Sequence, residues 1–201
     1  MDCRSHRSPI IAIALTRHLP HTPILSRFLL TTLLCLCPVV IRAQTAAQTS
    51  PPSELSFTDL SGHPHPLSDY RGKIVVLNFW ATWCAPCREE LPMLSKLSKE
   101  LAPQDVTFLA VSLDDAKSQS NIPRFLEKKK IALSVFTGAT PATLHEFQLG
   151  KIVPATLILD RQGVPVFRIM GQASKKEVFT RVDWLLSDRS SKSPKPLLKN
   201  F

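Results

Sequence analysis

Two cysteines separated by two residues, Cys84 and Cys87 in Trp83-Cys84-Ala85-Pro86-Cys87, can serve either a metal site or a redox reaction. A tetrahedral zinc site needs two further ligands. No second cysteine pair follows, and His63, His65 and His145 do not form a spaced ligand pair, so no metal is expected. The redox alternative has a positive argument. Cys84 falls between an apolar strand pattern and a helical one, and the first turn of a helix presents free N–H groups and the positive end of its dipole. Both favour a thiolate, with a pKa expected below the free value, in the range of roughly 3.5 to 7.5. Cys84 is then the expected nucleophile and Cys87, one turn deeper, the shielded resolving thiol. Pro86 fixes the backbone where the helix starts and lacks an N–H that would go unpaired. Exchange needs two steps: the Cys84 thiolate attacks a partner disulfide to give a mixed disulfide, and Cys87 attacks that bond to release the reduced partner. The reverse sequence oxidises a dithiol. No cofactor is called for beyond the Cys84–Cys87 disulfide itself.

The elements around the pair follow from periodicity. Residues 74–80 are nearly continuous in apolar and β-branched side chains, the pattern of a strand covered on both faces. Residues 84–100 predict a helix, with Leu91, Leu94, Leu97 and, just past its end, Leu101 at helical spacing and Pro92 expected to kink it. Residues 106–113 predict a second buried strand, 118–130 an amphipathic helix and 132–136 another strand. A short helix is expected over 141–148, ended by Gly150. Residues 155–159 and 164–170 read as strands joined by the turn Asp160-Arg161-Gln162-Gly163, and Ser174 as the cap of a last helix over 175–186. Ahead of all these, residues 55–60 and 65–67 around Ser61-Gly62 suggest a hairpin. Strands alternating with helices indicate an α/β fold with a mixed sheet.

The formal charge of +9 over 201 residues is unevenly placed. Residues 1–47 hold five arginines against one acid and residues 188–201 four Lys/Arg against one, leaving 16 basic and 14 acidic residues between them. A nearly balanced body excludes nucleic acid as the expected partner. Arg4, Arg7, Arg17 and Arg27 precede an apolar run of about 14 residues, where a spanning helix needs roughly 20, so residues 1–47 read as an export signal cut after Ala47. An uncleaved membrane anchor is the alternative. A lipid on Cys35 or Cys37 is disfavoured because each follows a leucine. Removing the leader takes away Cys3, Cys35 and Cys37 and leaves Cys84 and Cys87 alone, as suits an oxidising compartment. The expected organisation is a leader at 1–47, a linker at 48–53, one domain at 54–187 and a basic tail without fixed structure at 188–201.

The stretch Asn78-Phe79-Trp80-Ala81-Thr82-Trp83-Cys84-Ala85-Pro86-Cys87-Arg88-Glu89-Glu90-Leu91-Pro92 resembles the TlpA/ResA family of extracytoplasmic thioredoxin-like proteins. The likeness covers residues 53–187, including Tyr70-Arg71-Gly72-Lys73 and the segment from Ile152 through Pro154 to Asp160. It implies a thioredoxin-like fold, a central mixed sheet flanked by helices with an N-terminal hairpin extension. It also implies an exported or membrane-tethered monomer facing the periplasm, with a reductase role toward protein disulfides, often those of apocytochrome c, fed by a membrane or thioredoxin-type electron donor. Glu90 matches the family's Glu-x-Pro element and is expected to carry a proton to or from Cys87. Asn78 stands where thioredoxins place a buried aspartate; it cannot titrate and is read as structural support. Pro154 matches the family's cis-proline opposite the cysteines, which would expose the Val153 backbone to an extended partner segment, with Trp83 on the rim. Arg88 reads as a surface residue.

Three other functions compete with this one. A peroxiredoxin surrounds its cysteine with Pro-x-x-x-Thr-x-x-Cys, and no proline or threonine occupies those places before Cys84. A disulfide-donating oxidase would use the same residues in the opposite direction, and Ala85-Pro86 does not decide between them. A binding module without turnover would not need the intact CxxC.

Overall fold

The computed structural model describes residues 55–195 and 197–198; residues 1–47 with Cys3, Cys35 and Cys37, residues 48–53, and the last three residues lie outside these. In chain order the described elements are β1 (Ser56–Asp59), β2 (Pro64–Pro66), β3 (Ile74–Trp80), α1 (Ala85–Leu101), β4 (Val106–Ser112), α2 (Ile122–Lys129), β5 (Ser134–Thr137), α3 (Pro141–Glu146), β6 (Ala155–Leu159), β7 (Pro165–Met170), α4 (Lys175–Leu186) and β8 (Leu197–Leu198).

Every residue of β3 is buried, and the strand lies inside a sheet of order β2-β1-β5-β4-β3-β6-β7-β8. It runs parallel to β4 and antiparallel to β6, while β5 is parallel to β4 and β7 antiparallel to β6. Parallel neighbours need crossover connections, which α1 and α2 supply. Alternation along β3 then divides the core. Val75, Leu77 and Phe79 pack with Leu144 and Phe147 around α3, whereas Ile74 and Val76 meet Leu94 and Leu97 of α1 and Val178 and Val182 of α4. Trp80 continues that second face and packs with Cys87, Leu91 and Ile122. Fully burying a leucine such as Leu91, Leu94 or Leu97 is worth about 1.5–3 kcal/mol. This apolar stripe, more than any local preference, fixes α1 on the sheet. The helix continues unbroken through Pro92 to Leu101.

The N-terminal hairpin forms as β1 and β2, which pair antiparallel, and β1 joins the main sheet through β5. Its turn is tied by Asp59, whose Oδ1 accepts the Ser61 and His63 N–H groups.

Three sequence expectations are corrected. The helix expected over 118–130 starts as a 3-10 turn at Gln119–Asn121 and becomes α-helical only at Ile122, with Pro123 in the first turn where its missing N–H costs nothing. The helix expected over 141–148 ends at Glu146, and Gln148 (φ 58°), ahead of Gly150, takes the left-handed conformation that turns the chain. The tail is not featureless as far as Leu198. Arg181 Nη2 donates to the Lys195 carbonyl, Trp184 Nε1 to the Ser191 carbonyl, Arg189 pairs with Asp160, and β8 pairs with β7. Composition could not reveal these partners, because the body supplies the donors. Burial lowers the pKa of the Arg181 guanidinium, opposed by the Glu177 charge, and the cation lies 5.6 Å over the Phe167 ring.

Candidate active site

Cys84 and Cys87 sit where β3 hands over to α1. After Trp80 the chain turns, the Cys84 N–H donating to the Ala81 carbonyl, and Cys84 takes extended angles (φ −84°, ψ 110°) as the N-cap of α1. An N-cap side chain accepts from the second or third amide of its helix. The second residue here is Pro86, which has no N–H, so the Cys87 amide is the donor, 3.2 Å from Cys84 Sγ. The two sulfurs are joined as a disulfide. Cys84 is 5% exposed and Cys87 fully buried, whereas Trp83 beside them is 62% exposed. Of the two cysteines only Cys84 keeps any exposure, next to an open aromatic ring.

Opposite the cysteines, the Val153–Pro154 bond is cis, and the Val153 carbonyl oxygen lies 3.7 Å from Cys84 Sγ. Pro154 leads directly into β6, whose register on β3 sets Thr156 across from Asn78. Asn78 Nδ2 donates to Thr156 Oγ1 at 3.0 Å, so the amide ties β3 to β6; its Oδ1 has no hydrogen-bond partner among the described residues. Asn78 shares the sheet face of Val76 and Trp80, the face that α1 covers. Glu90 stands three residues beyond Cys87, one turn along α1. It is 1% exposed, and its Oε1 accepts the Ala173 N–H at 3.0 Å. The expected site residues Trp83, Cys84, Pro86, Cys87, Val153 and Pro154 thus meet at one place, Glu90 lies behind them on the same helix, and Asn78 lies in the sheet below.

One member was missed by sequence reading. Asp114, just beyond β4, is buried, and its carboxylate accepts the Thr82 N–H (2.8 Å), the Thr82 hydroxyl (2.5 Å) and the Ser112 hydroxyl (2.6 Å). Charge-assisted bonds of this kind are stronger than neutral ones. They fasten the turn that carries Trp83 and Cys84. The available signal was an aspartate directly after the C-terminal end of a buried strand, where open α/β sheets place functional groups. Among the described residues no group of three or more His, Cys, Asp or Glu side chains converges to hold a metal.

The sequence model of the AhpC/TSA family matches residues 47–166. The chain is 34% identical over 136 residues to the thiol-disulfide oxidoreductase ResA of Geobacillus kaustophilus (strain HTA426), covering 68% of this chain and 75% of that protein. It is also 34% identical over 131 residues to the thioredoxin-like protein YneN of Bacillus subtilis (strain 168), covering 65% and 75%. Among solved structures, MTB DsbF in its mixed oxidized and reduced forms superposes with a TM-score of 0.59 at 25% identity, over 68% of this chain and 98% of that one.

Proposed function

This chain belongs to the AhpC/TSA family and is a thiol–disulfide oxidoreductase of thioredoxin-like fold, and from that premise we propose that it acts outside the cytoplasm as a protein-disulfide reductase. The observation that carries the direction is the setting of Cys84 Sγ. Cys84 belongs to the buried cluster that holds Trp80, Ala81, Leu91 and Ile122, and its Sγ receives one backbone N–H and lies opposite the Val153 carbonyl. A strong oxidant needs its reduced form heavily stabilised. The helix start favours the Cys84 thiolate, but burial in an apolar cluster with a carbonyl oxygen opposite limits that stabilisation, which supports a reducing pair.

In the proposed cycle the Cys84 thiolate attacks one sulfur of a substrate disulfide, and the other sulfur leaves as a thiolate that takes a proton from water. Cys87 then attacks Cys84 Sγ in the mixed disulfide and expels the second substrate thiolate. Two electrons have moved to the substrate, and the protein is left with the Cys84–Cys87 disulfide until a membrane or thioredoxin-type dithiol donor resets it. Glu90 accepts the Cys87 proton as that thiol attacks and passes it toward the cleft lined by Met93, Gln172 and Lys175. Trp83 and Val153 flank the reacting sulfur and hold an extended substrate segment. Pro86 and Asn78 support the site, one by leaving the Cys87 amide as the cap donor and the other by tying β3 to β6.

Residues 1–47 act in this proposal as the export leader or membrane tether of a periplasm-facing monomer, with 48–53 as linker and 54–187 as the working domain. Among the described residues no helix is long and apolar enough to cross a membrane. Protein disulfides are the substrate class, and apocytochrome c is a member of it to test.

The pair's reduction potential tests the direction. A reductase is expected near about −270 mV, the thioredoxin value, with turnover of a protein disulfide; a potential near about −120 mV with net oxidation of dithiols would make the protein a disulfide donor instead. Peroxide turnover would favour the peroxidase reading. Glu90→Gln is expected to slow exchange about a hundredfold below neutral pH, with the deficit narrowing as rising pH ionises the thiol without help.

A further inference from the structure

The surface beside Cys84 carries cations that the exchange chemistry does not use. Two adjoining clefts share Arg88 and Lys128. One runs from Thr82 and Trp83 past Arg124 and Phe125, and the other from Ala85 to Lys129. Arg88, Arg124, Lys128 and Lys129 are all exposed. None of the four takes part in an ion pair among the described residues, and Glu89 is the one carboxylate lining either cleft. The surrounding body is close to neutral, with 16 basic against 14 acidic residues over 48–187, so this concentration is local.

Helix stability does not account for all of it. Lys128 and Lys129 are in the last turn of α2, where the dipole favours cations, but Arg88 is in the first turns of α1, where the dipole disfavours one. The groove is also held in place. Ile122 anchors the inner side of α2 in the core, and Phe125 packs on Trp80 with ring centroids 5.3 Å apart. The basic flank of α2 is thereby fixed beside the end of the strand that leads into the cysteines.

We propose that Arg88, Arg124, Lys128 and Lys129 form a docking groove for an acidic segment of the protein substrate, adjacent to the disulfide being reduced, with Trp83 and Phe125 as its apolar contacts. This deepens the reductase reading and rests on it. Complementary charge raises the encounter rate and is screened by salt. A concave cleft with two aromatic side chains, lined by residues on either side of Cys84, fits a peptide segment better than a flat anionic membrane.

The test uses the full-length reduced protein and synthetic peptides with one intramolecular disulfide, identical except for a short flanking run of Glu, Gln or Lys, with reduction rates read by stopped-flow fluorescence. At low ionic strength the Glu peptide is expected to react about tenfold faster than the Lys peptide. The ratio should fall toward one at about 1 M salt, where the screening length is about 3 Å. In the variant R124E/K128E the ratio should invert, and because it is a ratio it cancels any loss of folded protein. Equal rates for the Glu and Lys peptides in the wild type, with the Gln peptide still reduced, overturn the groove and leave the reductase reading standing. Equal rates together with binding of anionic phosphatidylglycerol vesicles that R124E/K128E abolishes also overturn it, assigning the cations to a membrane. If none of the peptides is reduced, the reductase reading fails first and takes the proposal with it.

Discussion

At the start of α4 the Ser174 hydroxyl accepts the Glu177 N–H while the Glu177 carboxylate accepts the Ser174 N–H, two backbone donors satisfied reciprocally. At the start of α1 the same position is taken by Cys84, whose sulfur accepts the Cys87 N–H, and the third helical residue is Cys87 itself, bonded to the cap through sulfur. The serine cap is permanent and has only a structural task. The cysteine cap changes its covalent state in every cycle, so the surroundings must hold the helix start in place. Leu91 and Leu94 do so from the core and the Asp114 carboxylate from the preceding turn. The contrast shows how a helix terminus becomes reactive: the reciprocal cap is given up, and rigidity is supplied from elsewhere in the fold.

Exchanging the chemistry of the caps sharpens this contrast. Cys84→Ser keeps an N-cap oxygen and removes the nucleophile, so disulfide reduction should cease while the melting temperature of the reduced protein stays near that of the wild type. A large loss of stability would mean that the sulfur, not the cap geometry, holds the helix start. Next in size is Asp114→Asn, which removes the charge from an acceptor of three hydrogen bonds and leaves one oxygen for the Thr82 N–H and the Ser112 hydroxyl, with the bond to the Thr82 hydroxyl reversed. Urea denaturation should show a loss of about 2 kcal/mol, and Cys84 should react more slowly with a small disulfide. Ser174→Ala should cost about 1 kcal/mol by the same measurement and leave the reduction rate unchanged. The smallest effect lies in the hairpin. The His63 N–H, then the His65 side chain and the Ser61 N–H, hold the Asp59 carboxyl down at about 2. A depressed carboxylate contributes fully above its ordinary value of 3.8 and loses the contribution as pH falls toward about 2. NMR titration of Asp59 should therefore have its midpoint below the usual carboxylate range, and Asp59→Asn should flatten that part of the stability profile.

Much of the site was legible because its signals are local. Residues 74–80 read as a buried strand from an unbroken apolar run, and Ser174 read as a cap from its place before a helical pattern; both stand where expected. Cys84, Pro86 and Cys87 were assigned from spacing, while Glu90, Val153 and Pro154 needed the family resemblance, because nothing in their own neighbourhoods marks them. Asp114 was not legible, since its partner Thr82 is 32 residues away and only the parallel pairing of β3 with β4 brings them together. The stretch that holds the cations of α2 reads only as an amphipathic helix, and the packing of Phe125 on Trp80 sets them beside the cysteines. The tail failed for a related reason: Lys195 and Ser191 offer backbone carbonyls, which no composition distinguishes, to Arg181 and Trp184.

The central claim is that Cys84 and Cys87 have unequal roles, one attacking and one resolving. The most direct test is to challenge reduced Cys87→Ser and reduced Cys84→Ser with a protein disulfide and to locate the bond formed by mass spectrometry. Cys87→Ser should accumulate a mixed disulfide on Cys84, while Cys84→Ser should form none on Cys87 over the same time. A mixed disulfide on Cys87 forming as fast as that on Cys84 would contradict the assignment.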